Sequence, residues 1–135
     1  MTPAELTIKR AKEERGRGDA EVAETSYAEA SALAASEGLP QLRAHALRHF
    51  AELAAERGAG ERALEAAEEA LSIYRSSPNQ SSLNVANTHR VRALASSALG
   101  RMDDAADDWR SARKLYSELG VSAGVAECDR RLREL

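Results

Sequence analysis

The residues in this chain that come nearest to a reactive arrangement are His45 and His49, in the stretch His45-Ala46-Leu47-Arg48-His49. On a helix, a spacing of four puts both imidazoles on one face, which is half of a zinc site. A helical metalloprotease also needs a glutamate directly after the first histidine, and Ala46 stands there. A third ligand could come only from Glu52 or His89, so histidines that line a binding surface, with no metal and no cofactor, are the expected reading. Asp103-Asp104 and Asp107-Asp108 stack two acidic pairs one turn apart; Asp103 is expected to cap a helix and the others to favour its positive end. Gly16-Arg17-Gly18 and Gly58-Ala59-Gly60 lack the Lys-Ser/Thr that follows a phosphate loop and read as helix-ending turns. Cys128 is the one cysteine; it can form no internal disulfide and is expected to be a small core residue. Ser76, Ser77, Ser81 and Ser82 read as a solvated linker, with phosphorylation as the sharper alternative. No acid/base pair and no nucleophile with its base can be assembled, so an enzyme is not expected.

The elements that must position these residues are written as a repeat. Gly-x4-Ala-x3-(Tyr/Ala/Trp)-x2-Ala occurs at Gly18/Ala23/Tyr27/Ala30, Gly58/Ala63/Ala67/Ala70 and Gly100/Ala105/Trp109/Ala112, in steps of 40 and 42 residues. A period of this size signals stacked helical units with an extended binding surface. Ala23, Tyr27, Ala30 and Ala34 form one stripe of a helix, as do Ala63, Ala67, Ala70 and Tyr74, and Ala105, Trp109, Ala112 and Tyr116. Alanine at buried positions means that the neighbouring helix comes close. Upstream of each glycine lies another helical stretch, with inward stripes Leu47, Phe50, Ala51, Ala54 and Val91, Leu94, Ala95, Ala98, Leu99. Each unit is therefore helix, tight turn, helix, with the glycine in the left-handed position that ends the first.

Units are expected over residues 3–38, 39–77 and 81–119, separated by Gly38-Leu39-Pro40 and by the polar run around Pro78. Val121, Val125, Cys128, Leu132 and Leu135 then form a narrow stripe, which predicts a capping helix over 121–135. Thr2-Pro3-Ala4-Glu5 is a capping box with proline at the first helical position, so the fold is expected to begin almost at Met1, as a single domain with none missing.

The Gly-x4-Ala-x3-aromatic-x2-Ala arrangement resembles the second half of a tetratricopeptide repeat, over residues 4 to 119. The first half matches less well: Phe50/Ala51 suits the bulky and small pair of that family, whereas Arg10/Ala11 and Arg92/Ala93 do not. The period exceeds the usual 34 residues and is similar to the long variety of kinesin light chains and many bacterial regulators. Armadillo and HEAT arrays are the competing repeats, and the alanine phrase favours the tetratricopeptide reading. The resemblance implies an all-α solenoid of three hairpins and a cap, with the first helices lining a concave surface.

Net charge is −3, which argues against nucleic acid as a partner, and no apolar run approaches a membrane span. A soluble, cytoplasmic protein is expected. The charge is unevenly sorted: first helices carry +2, +1 and +2, second helices −5, −2 and −2. With the resemblance, this implies a relatively basic groove and an acidic back, against the plainer reading of salt-bridge balance between neighbouring helices. The groove set is Ile8, Lys12 and Arg15, then His45, Arg48, His49 and Glu52, then Asn87, Arg90 and Leu94. The family's clamp for a C-terminal carboxylate is not matched, since Ile8 and Lys12, then Asn87 and Val91, occupy its positions.

The expected function is non-catalytic binding of a protein or peptide partner of acidic character, with Arg48 and Arg90 as anchoring charges. Two other readings stand beside it. One is a regulatory protein that senses a signalling peptide or small molecule; Leu115-Tyr116-Ser117-Glu118-Leu119-Gly120 is similar to repeat ends in such regulators. The other is a homodimer docked through Leu6 and Ile8.

Overall fold

Left-handed glycines punctuate five of the six helix junctions, the exception being the Ser77–Ser81 link between the fourth and fifth helices. Gly58 has φ +88°; its N–H donates to the Ala55 carbonyl at 3.0 Å, and the Ala59 N–H donates to the Ala54 carbonyl at 2.8 Å. This pairing satisfies carbonyls that the helix end would otherwise leave open, and a Cβ at that φ would be strained. Gly18 and Gly100 repeat the same pair of bonds at the other two hairpins.

The computed structural model describes Met1–Leu135. It contains α1 (Pro3–Gly16), α2 (Ala20–Glu37), α3 (Pro40–Glu56), α4 (Gly60–Ser76), α5 (Ser82–Ala98), α6 (Met102–Leu119) and α7 (Ser122–Glu134), and no strand. None of the seven is long and apolar enough to cross a membrane. The α1 capping box is complete: Glu5 N–H donates to Thr2 Oγ1 at 3.2 Å and Thr2 N–H to Glu5 Oε1 at 3.0 Å. Asp103 does not cap α6. The helix begins two residues earlier than that cap would allow, with Arg101 in the cap position and no side-chain cap, so Asp103 and Asp104 sit in the first turn and act through the helix dipole alone. Gly60 likewise opens α4 instead of belonging to the turn.

The alanine stripes are the packing surface. Ala23, Ala30, Ala34, Ala63, Ala67, Ala70, Ala105 and Ala112 are fully buried, with Tyr27, Tyr74, Trp109 and Tyr116 exposed by 3% or less between them. One apolar cluster runs from α1 to α5 and a smaller one joins α5, α6 and α7 around Trp109 and Cys128. Ala98 and Leu135 depart from their expected stripes and are exposed.

Each helix packs on its neighbours in sequence, and the odd-numbered helices also meet one another, α1 with α3 and α3 with α5; the even-numbered ones have no comparable contact. The odd helices are thus the inner layer of a curved stack and the even helices the outer layer. α7 packs on α6 as α3 packs on α2, and so occupies the place of a fourth inner helix.

Gly124 sets how closely α7 can approach. A Cβ there would lie 2.5 Å from the Tyr116 ring, a large buried side chain with no room to retreat. Gly124→Ala is therefore expected to lower stability by about 1–3 kcal/mol through overpacking. Urea denaturation checks this, as a lower midpoint with an unchanged slope.

Candidate interaction groove

Each inner helix contributes one long charged side chain to the same band. Arg15 comes from α1, Glu52 from α3, Arg90 from α5 and Glu127 from α7, in steps of 37, 38 and 37 residues. The steps fall about one helical turn short of the repeat, so each side chain reaches diagonally to the neighbouring inner helix. Arg15 Nη2 donates to Glu52 Oε1 at 2.7 Å, Arg90 Nη1 donates to Glu52 Oε2, and Arg90 Nε donates to Glu127 Oε1 at 2.6 Å. Glu56 lies 3.8 Å from Arg15, and Arg131 lies 3.6 Å from Glu127. Burial works against the Glu52 carboxylate, but hydrogen bonds from Arg90 and Arg15 outweigh it and hold the group down at about 2. Burial also opposes the Arg90 charge, and its bonds to Glu127 and Glu52 overcome that and raise its pKa.

At the α1 end of this ladder the two histidine rings are tilted against each other, with centroids 4.5 Å apart, and His49 stacks nearly parallel to the Tyr27 ring at 5.0 Å. Arg15 Nη1 is 3.1 Å from His49 Nδ1. A guanidinium can only donate, so Nδ1 accepts and the imidazole proton sits on Nε2. Burial, then Arg48, His45 and Arg15, bring His49 down to about 3; burial, then Arg48 and Lys12, also lower His45. Both rings are neutral at pH 7 and add no charge to the groove. The zinc reading finds no third ligand here. Glu52 is held by two arginines, and His89 lies elsewhere, with Nδ1 2.7 Å from Asp108 Oδ1 and Nε2 3.0 Å from Arg75.

Of the ten residues expected in the groove, Ile8, Lys12, Arg15, His45 and His49 line one cavity of about 460 Å³, together with Gly16 and Tyr27. Glu52 and Arg90 belong to the ladder beside it. Asn87 accepts a hydrogen bond from the Tyr116 hydroxyl at 2.6 Å, and Leu94 is half-buried against the Trp109 cluster. Unlike Arg15, Arg90 and Arg131, Arg48 has no carboxylate within ion-pair distance; its Nε, like that of Arg131, is buried without a hydrogen-bond partner. Leu6 is 54% exposed while Ile8 packs against the core, so the two do not form one apolar patch.

Glu127, Arg131 and the wall formed by Tyr27 were not among the expected groove residues. Treating the last helix only as a cap hides Glu127; the alternation of Arg and Glu at nearly constant spacing is the signal that finds it. Most other arginines of the first helices are spent on the outer layer. Arg10 pairs with Glu29, Arg43 with Glu69, Arg57 with Glu24 and Arg92 with Asp108. Much of the charge sorting seen in the sequence is therefore balance between adjacent helices.

No family model matches the chain, and no curated protein matches it in sequence. Among solved structures, a TPR-like protein from Chlorobium tepidum TLS superposes with a TM-score of 0.79 over 97% of this chain and 92% of its own length, at 20% sequence identity. The chain has the tetratricopeptide-like fold, a helical-repeat solenoid.

The neutral histidines make stability depend on pH. The folded-state pKa of His49, about 3, lies below its ordinary 6.5, so the unfolded chain binds more protons and stability falls as pH drops through this window. Glu52 acts in the same direction only below its ordinary 4.5. Wild-type protein is expected to lose about 2 kcal/mol between pH 7 and pH 5 from His49. His49→Gln should flatten that fall, measured by urea denaturation at each pH; an equal fall in the variant would contradict the assignment.

Proposed function

We propose that this protein is a non-catalytic interaction module that binds a peptide or helix of acidic character along its inner face. Folds of this kind generally mediate contacts between proteins. The observation that carries the acidic preference is Arg48. It stands on the inner helix α3 near Lys12, with neither residue paired to a carboxylate, among inner arginines that are otherwise neutralised by Glu52 and Glu127. A buried guanidinium Nε without a partner is costly, and an acidic ligand would relieve that cost.

Arg90 serves this reading less well than the sequence suggests. Its charge is engaged by two carboxylates, so a ligand would have to displace them. Lys12 and Arg48 are the anchoring charges, with Arg15, His45 and His49 around them.

The test is capture of partners from the source cell by wild-type protein and by Lys12→Glu/Arg48→Glu, after circular dichroism shows that both fold. The double variant should retain about tenfold less of the specific partners, as expected for losing about 1.4 kcal/mol of binding. Capture of the same set in the same amounts would contradict the groove reading.

A further inference from the structure

The cavity between α1 and α3 has features that an extended peptide groove does not require. It is a recess of about 460 Å³, within the range of small-molecule sites. Its walls are largely apolar: the Ile8 side chain, Gly16 with no side chain, and the stacked Tyr27 and His49 rings. Its polar groups are few and convergent. His49 Nδ1 is occupied by Arg15, leaving the Nε2 proton with no acceptor in the protein. Arg15 is itself neutralised by Glu52. Lys12 is exposed and without a carboxylate partner, and Arg48 acts on both imidazoles from the same helix.

The geometry points to a binding site for a small monocarboxylic acid, with its aliphatic or aromatic body against Ile8, Tyr27 and the imidazoles and its carboxylate held by Lys12 and the His49 Nε2 proton, beside the positive charge of Arg48. One free lysine and one neutral donor match a single carboxylate beside an apolar body better than they match a phosphate, whose greater charge calls for more donors. Neutral imidazoles fit the same ligand, because they offer a flat face and a donor without adding charge. An acid bound here would use the cations proposed to anchor a peptide, and so would compete with it. The site itself does not depend on the peptide reading: the acid can bind whether or not partner capture succeeds.

The experiment is a titration of the full 135-residue chain with 3-phenylpropionate, followed by amide and imidazole NMR signals. Acetate, 3-phenylpropanol and 3-phenylpropylamine serve as controls. Saturable shifts confined to Ile8, Lys12, Tyr27, His45 and His49 are expected with 3-phenylpropionate. The alcohol and acetate should each bind at least about tenfold more weakly and the amine not at all, since each lacks the charge-assisted contact or the apolar one. Lys12→Gln, at an exposed position that folding does not need, should weaken 3-phenylpropionate about tenfold. Equal binding of the amine or the alcohol, shifts scattered over the outer helices, or no saturation would overturn the proposal.

Discussion

The close approach that alanine permits between helices is the constraint on which the rest of this structure depends. Fully buried alanines on α2, α4 and α6 let each outer helix lie against two inner ones, while a single aromatic per contact fills the space that remains. Such contacts gain little per residue and depend on fit. The same economy explains Gly60 and Gly124, where even one methyl group would collide with Leu99 or Tyr116. It also brings α3 into contact with both α1 and α5, and without those contacts no side chain could reach from one inner helix to the next.

The Arg15–Glu52–Arg90–Glu127 ladder follows from that contact and gives the inner face its character. Glu52 accepts from both neighbouring inner helices and is the one carboxylate on which the ladder turns. Partly buried ion pairs of this kind contribute to stability only when each charge finds its partners, and here all four do. The consequence for function is subtraction. Of the four cations expected in the groove, only Lys12 and Arg48 stay uncompensated, and both lie near the recess walled by Tyr27 and the two neutral histidines.

The fold was legible in the sequence because its signals are local and repeated. The left-handed glycines and the alanine stripes lie within single hairpins and occur three times, so each copy supports the others. Trp109 followed from the same spacing, and Cys128 from the separate apolar stripe of the last helix. The cap of α6 was misassigned because Asp103 has the right chemistry for a cap, and only the backbone shows that the helix starts at Met102. Arg90 was misjudged for a different reason. Its partners lie 38 residues before it and 37 after it, and whether a long side chain meets a carboxylate or solvent depends on packing that no local pattern encodes. Gly124 carries no local signal of its role, because the Tyr116 ring that excludes a side chain there is placed by the packing of α7 on α6.

The account rests on the ladder being a coupled unit that occupies Arg90. A double-mutant cycle of Glu52→Gln and Arg90→Gln, read by urea denaturation at neutral pH, measures this directly. A coupling energy of about 1 kcal/mol or more is expected, in line with a charge-assisted hydrogen bond in a partly buried site. A coupling near zero would mean that Arg90 is free on the inner face, and that Lys12 and Arg48 have no special claim to the ligand.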